Sequence, residues 1–214
     1  MLYSGKDLRK LIIPLIIEQI LAIAVGMADT IMVSAAGEAA VSGVSLVDTV
    51  NILLINVFSA LATGGAVVSG HFLGKKKRED ACKSAWQILL FATLLAFVIS
   101  VIFITAHDPL LRLMFGKIED DVMKASKTYL IITTYSFVAL AIYNSCAALF
   151  RAMNESKVTM WVSLLMNVIN VVGNAICIYG LHMGVAGVAI PTTISRYVAA
   201  VVIFLLMFQS KKEI

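Results

Sequence analysis

Long apolar stretches recur along the chain, separated by short polar or charged segments. Six of them run for about 20 residues or more, the length that an α-helix needs to cross a bilayer. They cover approximately residues 11–35, 44–72, 84–106, 129–150, 158–179 and 185–208. Helices are expected because backbone groups that face lipid must be hydrogen-bonded within their own segment. The pattern predicts an all-α integral membrane protein, a single bundle of six transmembrane helices over residues 1–214.

The connections between these stretches are short, with one exception. Residues 108–128 are predicted to form an external loop that holds a short amphipathic helix on the membrane surface. Because the number of spans is even, the chain is expected to begin and end on the same side. Two such units, fused or paired, would then run parallel to each other.

The composition supports a membrane class. Hydrophobic residues make up 60% of the 214 residues and charged residues only 14%, whereas a soluble domain carries about 25% charged residues. The three cysteines are widely spaced and form no C-x-x-C pair. They indicate neither a disulfide framework nor a metal site.

The basic residues are distributed unevenly between the two predicted sides. With the N-terminus in the cytoplasm, twelve lie inside and four outside. The inner set is Lys6, Arg9, Lys10, Lys75, Lys76, Lys77, Arg78, Lys83, Arg151, Lys157, Lys211 and Lys212, and the outer set is Arg112, Lys117, Lys124 and Lys127. This excess favours both termini facing the cytoplasm of a plasma membrane. It explains the net charge of +4 without a nucleic-acid partner, and residues 75–78 are expected to contact anionic lipid headgroups.

Polar side chains inside the predicted spans are candidates for function, because ionisable groups there are costly and usually face a cavity or a partner. In the first span, Glu18 and Asp29 are separated by close to three helical turns and share one face. The fifth span carries a polar stripe with the spacing i, i+4, i+7, i+11. Its members are Ser163, Asn167, Asn170 and Asn174.

Four of these polar positions are expected at one depth. At about 1.5 Å per residue, Asp29 lies roughly 27 Å and Asn174 roughly 25 Å from the cytoplasmic ends of their spans. Thr192 lies roughly 10 Å below the outer end of the sixth span, and Asn170 is one turn from Asn174. A carboxylate, two amides and a hydroxyl in the outer half of the membrane could bind Na⁺ through oxygen atoms, or hold one protonatable acid.

Three further residues are candidates for a substrate cavity or for helix pairing. Glu18 and Arg196 lie roughly 10 and 20 Å from the cytoplasmic ends of the first and sixth spans. A buried Glu18–Arg196 pair and a role in attracting substrate both stay open, and Asn167 is the third candidate. Asp48 is expected near the outer interface, in contact with solvent.

Several motifs resemble those of the multidrug and toxic compound extrusion (MATE) family. Pro14 with residues 26–33 (GMADTIMV) resembles the family's Pro…Val-Asp-Thr-x-x-Val-Gly stretch, with Ser34 where Gly is usual. Residues 68–74 (VSGHFLG) are similar to its Ser-Gln-x-x-Gly segment, except at the Gln, and residues 149–154 (LFRAMN) to its Leu-x-Arg-Ala-x-Gly segment.

The most specific part of the resemblance joins the fifth span to the sixth. Asn170 and Asn174, followed by residues 184–192 (GVAGVAIPT), resemble Asn-x-x-x-Asp…Gly-Val-Ala-Gly-x-Ala-Ile-Ala-Thr. The resemblance covers nearly the whole chain. Each motif alone is weak evidence for the resemblance, whereas their shared order and spacing are strong evidence.

The resemblance implies one six-helix lobe of a twelve-helix exporter that moves organic cations and drugs against Na⁺ or H⁺. The family's cation site maps onto Asp29, Asn170, Asn174 and Thr192, with Asn174 in place of the usual Asp and therefore one fewer negative charge. No cofactor is expected, and no metal beyond Na⁺ at Asp29. The expected partner is a second six-helix lobe, in the same longer chain or in a homodimer.

The sequence favours other functions less. A more basic central cavity would indicate export of a lipid-linked or polysaccharide precursor, as in other members of the same superfamily. This chain offers mainly Arg196 there. An inactive half-protein that needs a second lobe also stays open. A membrane-embedded enzyme is not expected, since no H-E-x-x-H, G-x-S-x-G or paired catalytic acids occur.

Overall fold

The computed structural model describes the backbone of residues 5–210 and the side chains of residue 9 and residues 11–209. Lys211 and Lys212, and the side chains of Lys6 and Lys10, lie outside this part. Eight α-helices and no strand occur within it. They are α1 (Gly5–Ser34), α2 (Glu38–Gly74), α3 (Arg78–Thr105), α4 (His107–Phe115), α5 (Asp120–Thr134), α6 (Phe137–Ala152), α7 (Ser156–Ala175) and α8 (Ala186–Ser210), with a π-helical turn (Ile176–Gly180) after α7.

Five of these helices, α1, α2, α3, α7 with its π-helical turn, and α8, are long and apolar enough to cross a membrane. A sixth span arises when α5 and α6 are taken together, although they are bent by 52° at a short break. The break was not predicted, since the fourth apolar stretch was read as one helix over residues 129–150. α5 also begins at Asp120, inside the segment 108–128 predicted as a loop.

The other half of that segment holds the short helix α4, where a surface helix was predicted. α4 is joined to α5 by an ion pair, in which Lys127 Nζ lies 3.1 Å from a carboxylate oxygen of Asp108. This hydrogen bond from Lys127 lowers the pKa of the exposed Asp108 carboxyl. The pair ties the two helices together at the surface.

α6 forms the centre of the bundle and packs against α2, α3 and α8. Its alanines, Ala139, Ala141, Ala147 and Ala148, are at most 4% exposed. Small side chains of this kind let neighbouring helices approach closely in a membrane protein. α1 is peripheral by comparison, because only 6% of its most apolar stretch of residues is buried, against 44% of the corresponding stretch of α8. α1 packs mainly on α7.

One close helix contact positions the polar residues of α7 and α8. A Cβ atom on Gly173 would lie 2.7 Å from Pro191 Cβ, so only glycine permits the observed approach. Gly173 precedes Asn174, and Pro191 precedes Thr192. The contact therefore brings the polar stripe of α7 against the first turns of α8.

Candidate functional site

A run of hydrogen bonds joins Asp29 to α7 and α8. Asn174 Nδ2 donates to Asp29 Oδ1 at 2.6 Å and approaches Asn170 Oδ1 at 3.3 Å. Asn170 Nδ2 in turn donates to Thr192 Oγ1 at 2.8 Å. The structure thus brings together the four residues that the sequence predicts as a cation site, and it places them between α1, α7 and α8.

The cluster is shielded by the bundle, although Asp29 itself is half-buried. Asn174 is 0% exposed, Asn170 5% and Thr192 7%. Thr192 Oγ1 also donates to the carbonyl of Val188 one turn earlier, which fixes the orientation of its hydroxyl. Burial strengthens these polar contacts, because an unpaired group would be costly in such surroundings.

Two amide atoms of the polar stripe lack a partner within the described residues. They are Asn174 Oδ1 and Asn167 Nδ2, both buried. Asn174 Oδ1 belongs to the amide that contacts Asp29. The stripe therefore holds an unused acceptor on the same side chain that bonds the carboxylate, and an unused donor on Asn167.

Glu18 occupies a separate polar cluster near the middle of α1, about three turns from Asp29. One of its oxygens lies 3.7 Å from Arg151 Nη1 and accepts a bond from Tyr143 Oη at 3.4 Å. The other accepts from Thr159 Oγ1 at 3.4 Å. Glu18 therefore pairs helices by holding α1 to α6 and α7.

The suggested Glu18–Arg196 pair is wrong. Arg196 Nη1 donates instead to Ser136 Oγ at 2.9 Å, at the break between α5 and α6. The reason lies in the bend, which brings Ser136 to Arg196, while Arg151 at the end of α6 provides a nearer cation for Glu18. Neither contact is visible in the spacing of the sequence.

A second acid in the interior of the bundle, half-buried, was missed by the sequence reasoning. Asp48 is half-buried rather than free in solvent, and it accepts a hydrogen bond from Tyr129 Oη at 3.0 Å. Asn51, one turn later on α2, approaches the same Asp48 oxygen through Nδ2 at 3.4 Å. Tyr129 and Asn51 are each 2% exposed. The i, i+3 spacing of Asp48 and Asn51 was the available signal.

Fold and site together define a polytopic membrane protein with an ionisable cluster inside its helix bundle, an arrangement typical of ion and solute pathways. The chain belongs to the MatE family, whose model matches residues 14–176. The predicted family resemblance and the predicted all-α membrane fold are thereby confirmed.

The chain is 31% identical over 199 residues to the uncharacterized transporter YisQ of Bacillus subtilis, covering 91% of this chain and 43% of YisQ. It is 26% identical over 211 residues to the probable multidrug resistance protein NorM of Thermotoga maritima, covering 97% and 45%. These relatives are transporters rather than enzymes, in agreement with the sequence. They do not favour the alternative of a flippase for lipid-linked or polysaccharide precursors.

Solved structures share the fold. The outward-facing form of a multidrug resistance MATE family transporter of the MOP superfamily matches with a TM-score of 0.89 at 24% identity, over 96% of this chain and 45% of that one. A MOP superfamily transporter from Pyrococcus furiosus, whose binding pocket has reversed polarity, gives 0.88 at 25% identity, over 95% and 44%. The chain thus spans about half the length of the relatives that it matches.

Proposed function

We propose that the chain is the N-terminal lobe of a cation-coupled exporter of organic cations, and that Asp29 holds the coupling ion. The run of hydrogen bonds from Asp29 through Asn174 and Asn170 to Thr192 carries this proposal. It supports an ion site because it gathers oxygen-bearing side chains around one carboxylate inside a membrane bundle.

The amide of Asn174 suggests how a cation enters this cluster. Its Nδ2 now donates to Asp29, whereas its Oδ1 is buried without a partner within the described residues. Rotation of the amide exchanges the two atoms. Asn174 Oδ1 would then join Asp29 as a ligand of Na⁺, or would accept a hydrogen bond from a protonated Asp29.

Coupling requires that the cation bind the outward-open and inward-open forms with different affinities. Asp29 lies on α1, the least buried of the spanning helices within the described part of the chain. Its bond to Asn174 reaches α7, against which α1 mainly packs. Cation binding would replace that bond, and we expect α1 to shift relative to α7 in response.

The proposed setting is a plasma membrane with both termini in the cytoplasm. The twelve basic residues on one predicted side against four on the other support this orientation. It would place Asp29 in the outer half of the membrane. The single domain of residues 1–214 would then work with a second six-helix lobe, because the relatives are about twice as long.

The proposal is tested by efflux from proteoliposomes that contain the chain and a fluorescent organic cation such as ethidium. Gradients of Na⁺ and of H⁺ are imposed separately. We expect one gradient to accelerate efflux, and Asp29→Asn to reduce the rate to that seen without a gradient, since the neutral amide cannot hold the ion. Helical content and elution volume in detergent should stay unchanged.

The matched control is Asp121→Asn, which removes an exposed carboxylate at the start of α5 and should leave efflux intact. Undiminished gradient-driven efflux by Asp29→Asn would reject Asp29 as the coupling residue. If the chain alone is silent, it is assayed when fused to the C-terminal half of a full-length relative. Activity of the fusion would identify the chain as a half-protein that needs a second lobe, and silence would reject the exporter proposal.

A further inference from the structure

Asp48 and Arg196 lie in the same polar interior as Asp29 but have no part in the four-residue cluster. Arg196 follows Thr192 by one turn on α8, so both side chains lie on one face of that helix. Thr192 is bonded to Asn170 at 2.8 Å, and Arg196 to Ser136 Oγ at 2.9 Å. α8 therefore connects the Asp29 cluster to the break between α5 and α6.

The connection continues from the break to Asp48. Ser136 Oγ donates to the carbonyl of Thr133 at 2.6 Å, and Thr133 Oγ1 donates to the carbonyl of Tyr129 at 2.8 Å. Tyr129 Oη then donates to Asp48 on α2. Arg196 and Asp48 are thus both bonded to α5 or to the break that follows it, Arg196 through Ser136 and Asp48 through Tyr129.

The charges of this group interact although they form no close pairs. Within the described residues, Arg196 makes no ion pair with Asp29 or Asp48 shorter than 4.0 Å. Burial is the largest influence on all three groups, and the charge of Arg196 is a smaller one on each carboxylate. Tyr129 is the other titratable group that faces Asp48. Glu18 is already paired with Arg151, about three turns of α1 away from Asp29.

The charges of Asp29, Asp48 and Arg196 do not cancel, and the remainder favours binding of a cation. Two carboxylates and one guanidinium leave a net charge of −1, which a single monovalent cation or proton neutralises. Without Asp48, the charge of Asp29 would already be balanced by Arg196, and an added cation would gain little. Uncompensated charge inside a membrane bundle is unfavourable, so the group as a whole should hold one cation.

We propose that Asp48 and Arg196 belong to the cation site, with Arg196 as a fixed counter-charge and Asp48 as the second acid that restores the attraction for one monovalent cation. This inference rests on the proposed function, because it assumes that Asp29 binds the ion. It also gives the site a second carboxylate although Asn174 occupies the place where an Asp is usual in the family.

The test measures cation binding to the purified chain in detergent, with radioactive Na⁺ at equilibrium and with indicator-detected proton uptake. The cation whose binding is lost in Asp29→Asn is then used to measure affinity in Asp48→Asn, Arg196→Gln and the double variant. We expect Asp48→Asn to weaken binding and Arg196→Gln to strengthen it. Each change should be on the order of twentyfold, the effect of one charge acting over roughly 9 Å at an effective dielectric constant of about 20.

The double variant distinguishes charge compensation from damage to the fold. It restores the net charge of −1, so its affinity should return to within about threefold of the wild type, because the two opposite charge effects cancel. Arg196→Lys should resemble the wild type because it keeps the charge. Arg112→Gln removes an exposed cation from α4 and should have little effect, since solvent screens it.

Two results would overturn the inference while leaving the proposed function intact. One is wild-type affinity in both single variants. The other is a double variant as weak as Asp48→Asn, which would indicate a structural role for Asp48. If Asp29→Asn changes the binding of neither cation, the proposed function itself fails, and the inference fails with it.

Discussion

At the scale of single residues, Asn174 defines what the site can do. It is fully buried and bonds the carboxylate of Asp29 at 2.6 Å, yet it carries no charge. The resemblance to the family expects an aspartate here. The chain therefore has one acid fewer between α1 and α7, and the proposed cation affinity would depend on the charges that remain nearby.

Asn174→Asp should raise the affinity for the coupling cation, because it adds a second carboxylate beside Asp29. The gain should be roughly tenfold, since part of the added attraction is offset by repulsion between the two acids and by the cost of burying charge. The measurement is the cation concentration that gives half-maximal efflux. An unchanged or higher concentration would mean that Asn174 does not face the bound ion.

The four residues of the Asp29 cluster were predictable, because they share one depth and the family resemblance maps a cation site onto them. Asp48 was not, because counting residues from the start of its span puts it near the interface. Its burial depends on Tyr129, which belongs to another helix and lies 81 residues further along the chain. The depth of a residue in the membrane can be estimated from the local sequence pattern, whereas a hydrogen-bond partner on a distant helix cannot.

At the scale of elements, the break between α5 and α6 is the least regular feature of the bundle. Four successive carbonyls, of residues 132 to 135, each accept a hydrogen bond from a side chain. The donors are Thr193 to Ile132, Ser136 to Thr133, Ser100 to Thr134 and Tyr197 to Tyr135, at 2.6 to 3.3 Å. These bonds support a bent span in apolar surroundings, because each of these carbonyls at the break has a side-chain partner.

Thr193→Val should destabilise the bundle by about 1 kcal/mol, because valine keeps the shape but cannot donate to the carbonyl of Ile132. Thermal unfolding in detergent measures the effect. The matched control is Thr105→Val, whose threonine bonds only carbonyls of its own helix. Equal effects of the two substitutions would show that the bond across the break contributes nothing.

The apolar stretches predicted where spans occur, because length and hydrophobicity alone decide whether a segment can lie in lipid. They could not reveal the break. Its donors Thr193 and Tyr197 come from α8, about 60 residues away, so no local signal at residues 134–136 marks the bend. The same limit explains why Arg196 was paired with the wrong residue.

At the scale of the whole molecule, the chain is one helical bundle that spans about half the length of its relatives. α1 carries Asp29 at the periphery of this bundle and exposes large apolar side chains such as Ile20, Ile23 and Ile31. These faces are suited to lipid and to the proposed second lobe. Asp29 thus lies where movement of one peripheral helix would change its hydrogen-bond partners.

The most direct test of the central claim is modification of Asp29 by dicyclohexylcarbodiimide, which reacts with carboxyl groups in apolar surroundings, followed by peptide mass spectrometry of the reconstituted chain. Glu18 serves as the internal reference, because it lies in the separate cluster with Arg151. We expect Asp29 to be modified, and Na⁺ or the exported organic cation to protect it while leaving Glu18 unaffected. Modification of Asp29 that neither cation changes would contradict the account.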